Sequence, residues 1–257
     1  MNYNITASYK KEFIEAVKLA NKELHTYINN HITIQDFEYS DTIGFGGDNS
    51  LKIDLIAEDI FIKHLEKFGN IFSEECGLKT TNKEFTIVID PLDGSNNFYS
   101  NLPYYGTSIA LQKENETVAG FVTNLVTGII TYRVFDEDIK YFSIIEMKDK
   151  YFSHKQKSKI SIFERAYEYP KICQELNNQK IKFRCLGAVA LSLSDANNYN
   201  FVLYAGKIRD FDILAALYIC KDFYIYKTKE FLLISRDKVT FSLIKDIIKV
   251  FLVINPR

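Results

Sequence analysis

Phe85-Thr86-Ile87-Val88-Ile89-Asp90-Pro91-Leu92-Asp93-Gly94-Ser95 is the stretch around which the rest of the chain is organised. Five mostly apolar and β-branched residues ahead of Asp90-Pro91 predict a buried strand that stops abruptly at a carboxylate. Pro91 presets φ for the second position of a tight turn, and Gly94 permits backbone angles or a close ligand approach that a Cβ would forbid. The expected turn points Asp90 and Asp93 into one small volume. Two carboxylates so close repel each other unless one is protonated or a cation lies between them, and an all-oxygen pair suits a hard ion such as Mg²⁺. Ser95 and Asn96 then open a predicted helix whose N–H groups face an anion. A metal ion beside an anion pocket points to phosphate chemistry.

Upstream, residues 71–73 read as a short strand ending in Glu74-Glu75, a second acidic strand edge. A helix over 53–68 carries Asp54 and Glu58 one turn apart. The helix dipole favours Asp54 in the first turn in any case, so both read as surface carboxylates. Phe13, Val17, Ala20 and Leu24 give residues 9–30 the period of an amphipathic helix, and Gly44, Gly46 and Gly47 mark 31–50 as a hairpin or mobile loop. Downstream, β-rich runs at 105–111, 117–123 and 128–135 predict an antiparallel meander. Residues 136–159 lose all periodicity and suggest a junction between two halves, 1–140 and 141–257, of a single unit spanning 1–257. In the second half we expect a helix over 162–169 stopped near Pro170, a strand at 181–185 and a helix over 188–197 after Gly187. A strand at 201–204, a helix capped by Asp212, strands at 223–226 and 231–235, and a helix over 241–251 complete the pattern. Sheets alternating with helices on both sides predict a layered α/β sandwich.

With 257 residues, 47% hydrophobic, the chain can bury a large core. A net charge of −1 argues against an electrostatic grip on nucleic acid or an anionic membrane. The first residues lack the basic-then-apolar pattern of a signal peptide, and no apolar run reaches the ~20 residues that span a bilayer, so a cytoplasmic enzyme is the expectation. Cys76, Cys173, Cys185 and Cys220 show no metal or redox spacing and read as buried thiols. His25, His31, His64 and His154 are equally scattered and read as surface groups.

The stretch Asp90-Pro-Leu-Asp-Gly-Ser-Asn-Asn-Phe98 resembles the Asp-Pro-(Ile/Leu)-Asp-Gly-Thr signature of the inositol monophosphatase superfamily, the Mg²⁺-dependent phosphatases that include archaeal-type fructose-1,6-bisphosphatases. Ile53-Asp54, Ser73-Glu74-Glu75, Arg184-Cys-Leu-Gly187-Ala188 and Phe211-Asp212-Ile213-Leu214-Ala215 are similar to four further family segments, in family order. The resemblance implies an αβαβα sandwich, two or three Mg²⁺ ions, and metal ligands at Glu74, Asp90, the Leu92 carbonyl, Asp93 and Asp212. It implies that Asp54 and Ser95 form the pair that deprotonates a metal-activated water, Glu74 sharing in catalysis. Substrate contacts carry over to Asp93, Gly94, Ser95, Asn96, Arg184, Gly187, Ala188 and Asp212. Ser95 replaces the usual Thr, keeping the hydroxyl but losing the methyl that restricts its rotamer. Ala188 replaces Ser, and no Glu stands near Ala205-Gly206 where animal inositol phosphatases carry one. Gly206-Lys207-Ile208-Arg209 instead offers a cation, Arg209, for a second phosphate or as a surface residue. The implied activity is hydrolysis of a small phosphate monoester, inositol-1-phosphate or fructose-1,6-bisphosphate, by a homodimer. The alternatives are 3′-phosphoadenosine 5′-phosphate or histidinol-phosphate hydrolysis, or a non-catalytic regulatory member.

Overall fold

The computed structural model describes residues 5–47, 49–80, 82–152 and 158–254. His154, and with it part of the stretch 136–159 read as a junction, lies outside them. The apolar face at Phe13, Val17, Ala20 and Leu24 folds as helix α1 (Ala7–Asn30), capped by the Thr6 hydroxyl, which accepts from Tyr9 N at 3.2 Å. The glycine-bearing stretch forms a hairpin, β1 (Tyr39–Ile43) and β2 (Asn49–Leu51), that leads into α2 (Lys52–Leu65). Then come β3 (Asn70–Ser73), β4 (Gly77–Lys79), β5 (Phe85–Asp93) and the short helix α3 (Ser95–Tyr99). The expected meander follows as β6 (Gly106–Lys113), β7 (Glu116–Asn124) and β8 (Ile129–Val134). Two more strands, β9 (Lys140–Ser143) and β10 (Lys148–Lys150), lie in the stretch read as a junction, so the first sheet runs past the 140/141 division. The sheet is eight-stranded, ordered β10-β9-β8-β7-β6-β5-β3-β4, with β3 and β5 parallel.

The second sheet is five-stranded, β12-β11-β13-β15-β14, built from β11 (Ser161–Glu164), β12 (Phe183–Arg184), β13 (Val202–Ala205), β14 (Tyr224–Lys227) and β15 (Phe231–Ser235). Helices α4 (Pro170–Asn178), α5 (Val189–Ser194), α6 (Asp210–Ile219) and α7 (Lys238–Ile254) accompany it. The helix expected over 162–169 is a correction: its first part is strand β11, and Pro170 starts α4 instead of ending a helix. A strand buried on both faces shows no period-2 alternation, and proline fits the first helical turn, where its missing N–H has no intrahelical partner to lose.

Strand alternation divides the interior into three cores. Ile87 and Ile89 of β5 face α1 and α2, packing with Phe13, Val17, Ile53 and Phe61. Val88 faces the other way, with Leu191 of α5, Ala215 of α6 and Ile162 and Val202 of the second sheet. Leu203 and Ala205 of β13 turn outward to Ile172 of α4 and Ile244 of α7. The order is α, β, α, β, α. Helix α6 sits directly on the first sheet: a Cβ at Gly120 would strike the Ala215 carbonyl, and Ser108 Oγ donates to Phe211 O at 3.0 Å. That seating brings the start of α6 to the ends of β3 and β5. Cys220 is buried, Cys76 and Cys173 are half-buried, and Cys185 is exposed, so the expectation of buried thiols fails at Cys185.

Candidate metal centre and cleft

Strand β5 does not stop at Asp90. It continues to Asp93 through an irregularity against β6, with Asp90 opposite Ser108 and Asp93 opposite Gly106. Three residues advance on one strand against two on the other, a bulge that accommodates Pro91, which has no N–H to give to a ladder. Asp90 Oδ1 accepts from Leu92 N at 3.0 Å, and the Leu92 side chain anchors the segment in the first core. Gly94 then takes φ +88°, and a Cβ there would stand 3.0 Å from the Cβ of Ala188. Ala188 is thus the floor under the Gly94 turn. Asp93 turns to α5, its oxygens accepting from Val189 N at 2.9 Å and Leu191 N at 3.0 Å.

Parallel pairing fixes the second strand edge. Ser73 lies opposite Ile89, so Glu74 emerges beside Asp90, and Glu74 N donates to Ile89 O at 3.1 Å. Asp54 and Glu58 are buried, not on the surface. Glu58 accepts from Cys76 N at 3.0 Å and braces the turn after Glu74, while Asp54 Oδ2 accepts from Leu51 N at 2.8 Å. Asp212, in the first turn of α6, completes the cluster. Carboxylate oxygens of Glu74, Asp90 and Asp212 lie within 4.8 Å of one another. Arg209, the residue before α6, pairs with Glu74 at 2.6 Å and with Asp212 at 3.0 Å.

Convergence of buried acids is costly, and the cluster shows it. Burial, then Glu74, Asp93 and Asp212, pushes the Asp90 carboxyl well above the usual carboxylate range. Burial first, then Asp212 and Glu164, pushes Asp93 up to about 8 against the two N–H groups of α5. Asp54 rises to about 7, again mainly through burial with Glu75 and Glu74 adding to it. Its Oδ1 is buried without a hydrogen-bond partner among the described residues. An all-oxygen donor set that pushes its own carboxyls upward even with Arg209 beside it fits a hard divalent cation.

These groups line a cleft of about 540 Å³ whose wall also includes Gly94, Ser95, Asn96, Gly187 and Asn97. Arg184 is exposed on β12, donates to Phe183 O at 2.8 Å and lies outside that lining. Sequence reasoning missed three contributors. Asn97 Nδ2 bridges Tyr104 O and Leu186 O, both at 2.7 Å, tying the α3 turn to the Gly187 turn. Glu164, at the end of β11, accepts from Gly187 N at 2.9 Å and Leu186 N at 3.2 Å. Arg165 follows at φ +60°, and a Cβ on Gly206 would stand 3.1 Å from its Cζ. The apolar run 160–163 ending in Glu164 was the available signal. A larger cavity of about 1030 Å³, lined by Thr131, Tyr141, Asp195 and Arg236, lies apart from the carboxylate cluster.

A layered α/β chain with an acidic cleft at the ends of its strands has the form of a metal-dependent phosphatase. The sequence model of the inositol monophosphatase family matches residues 9–223. The chain belongs to the inositol monophosphatase family and is a phosphoric monoester hydrolase. It is 29% identical over 206 residues to the fructose-1,6-bisphosphatase/inositol-1-monophosphatase of Methanocaldococcus jannaschii, covering 78% of this chain and 79% of that protein. A solved inositol monophosphatase-fructose 1,6-bisphosphatase superposes with a TM-score of 0.76 at 23% identity, covering 91% of this chain and 99% of that one. The fructose-1,6-bisphosphatase of Leishmania major gives 0.77 at 12% identity, covering 95% and 96%. The layered fold expected from the sequence is the fold of these structures. No helix among the described residues is long and apolar enough to cross a membrane.

Proposed function

We propose that the cleft hydrolyses fructose-1,6-bisphosphate and inositol-1-phosphate with Mg²⁺ held by Glu74, Asp90 and Asp212, and with Asp93 and the Leu92 carbonyl serving a second or third ion. The observation that carries this reading is the convergence of three carboxylates beside the Gly94 turn. When bound, the cations supply charge that acidifies water and neutralises the phosphoryl oxygens. Asp54 is the proton acceptor in this reading. Its buried, unpartnered Oδ1 and its raised pKa of about 7 suit a base that works near neutral pH. Ser95 orients the attacking water, and Gly94, Ser95 and Asn96 hold the phosphate from the cleft wall. Gly187 and Ala188 support that wall from below.

The bisphosphate comes first for a specific reason. Arg165 covers Gly206 at the cleft, its guanidinium held by Glu168 at 2.6 Å, and a guanidinium is suited to a second phosphate. A homodimeric cytoplasmic enzyme without a nucleic-acid partner fits the family resemblance and the near-neutral charge.

The test is phosphate release from a panel that includes both substrates, 3′-phosphoadenosine 5′-phosphate and histidinol phosphate, with Mg²⁺. We expect the first two to lead, and Arg165→Ala to lower the specificity constant for the bisphosphate roughly tenfold more than for the monophosphate. Release from none of them with Mg²⁺ present would favour the non-catalytic reading.

A further inference from the structure

The Arg209 guanidinium lies among the carboxylates and not at the surface. Its Nη1 is 2.6 Å from Glu74 Oε1, and its Nε and Nη2 meet the two oxygens of Asp212 at 3.0 Å each, a forked pairing. The side chain is 24% exposed, against 13% for Glu74 and 4% for Asp212. The β1–β2 hairpin lies over it: Gly46 N donates to Glu74 O at 2.8 Å, and a Cβ on Gly46 would stand 3.2 Å from Arg209 Nη1. Glu74 and Asp212 are two of the three acids whose oxygens converge. The guanidinium therefore engages oxygens that a divalent ion would need. It also carries its charge at every accessible pH, so deprotonation offers no way out of that competition.

We propose that Arg209 is an internal counter-cation of the cluster, holding Glu74 and Asp212 together in metal-depleted protein until a divalent ion displaces it. The inference rests on reading the cluster as a metal centre. Two consequences follow from charge alone. Metal-depleted protein keeps its acidic strand ends in place because the guanidinium offsets their repulsion. Once displaced, the guanidinium stays tethered at the start of α6 beside the cleft, where an anionic substrate can take it up. Ion and anion then favour each other's binding, a coupling that must be reciprocal.

The experiment is calorimetric titration of Mg²⁺ into metal-depleted wild type, Arg209→Met and Arg209→Lys, together with thermal unfolding of the same proteins with and without Mg²⁺. Arg209→Met is expected to bind Mg²⁺ at least roughly tenfold more tightly than wild type, since charge-assisted pairs no longer have to be broken. It should also melt lower without metal, with the gap closing at saturating Mg²⁺. Arg209→Lys keeps the charge without the fork and should fall between the two. If Arg209→Met does not fold, the lysine variant decides by the same criterion. Equal or weaker Mg²⁺ affinity in the variants, or an unchanged metal-free melting temperature, overturns the counter-cation. Absence of Mg²⁺ binding in wild type and both variants overturns the metal centre itself, and the counter-cation with it.

Discussion

Strands β3 and β11 are nearly interchangeable on paper: each is four residues long with an Ile-Phe pair at its centre, and each delivers a glutamate at its end, Glu74 after one and Glu164 closing the other. Their surroundings differ completely. Glu74 emerges beside Asp90 and Asp212, whereas Glu164 meets the N–H groups of Leu186 and Gly187 and the hydroxyl of Ser192. A buried carboxylate among donors is satisfied and acts as a brace. One among other carboxylates takes a cation, here the Arg209 guanidinium 2.6 Å from Glu74. The donors, not the local sequence, decide which is which.

The sharpest way to break this distinction is Asp90→Asn. It removes a ligand and also relieves repulsion in the cluster, so turnover should fall by about a thousandfold or more while the fold is kept. Steady-state kinetics beside circular dichroism would read both; an active Mg²⁺-dependent Asn variant sinks the assignment. Next in size is Ser95. Ser95→Ala should cost turnover by roughly a hundredfold with little change in Mg²⁺ affinity, and Ser95→Thr should keep or improve it, because the hydroxyl is the chemical requirement.

Glu164→Ala tests the other side of the comparison. It strands the Leu186 and Gly187 N–H groups, so urea unfolding should show a loss of about 2 kcal/mol, larger than that of Glu74→Gln, which gives up charge in its pairing with Arg209 but also relieves repulsion with Asp90 and Asp212. Equal destabilisation by both would erase the difference between brace and ligand. The smallest effect belongs to Asp195, whose carboxyl burial pushes up to about 6. A folded value above the unfolded one means that the folded state holds the proton more tightly. Its stabilising contribution is therefore complete below about pH 4 and is lost as pH rises through about 6. Urea midpoints measured across that window should flatten in Asp195→Asn.

The first half of the molecule was legible because its signals are local. The apolar strand ahead of Asp90, the helical period from Phe13 to Leu24 and the β-rich runs of the meander each fit within a single element, although β5 runs on to Asp93. The family resemblance implies ligands at Glu74, Asp90, the Leu92 carbonyl, Asp93 and Asp212, and of these the carboxylates of Glu74, Asp90 and Asp212 converge. What stayed hidden depends on contacts between distant segments. Glu164 was absorbed into a helix because β11 is buried on both faces and has no alternation to show. Glu58 was read as a surface acid because its partner, Cys76 N, is eighteen residues away. Arg209 was assigned to substrate or surface, since nothing in Gly206-Lys207-Ile208-Arg209 reveals that the side chain turns back to Glu74.

The most direct test of the metal-dependent cleft is phosphate release from fructose-1,6-bisphosphate and inositol-1-phosphate by chelator-stripped wild type as Mg²⁺ is added back. We expect no measurable turnover without the ion, saturable recovery with it, and no recovery in Asp90→Asn at the Mg²⁺ concentration that restores wild type. Full activity after chelation, or a Mg²⁺ response unchanged in Asp90→Asn, would contradict the account.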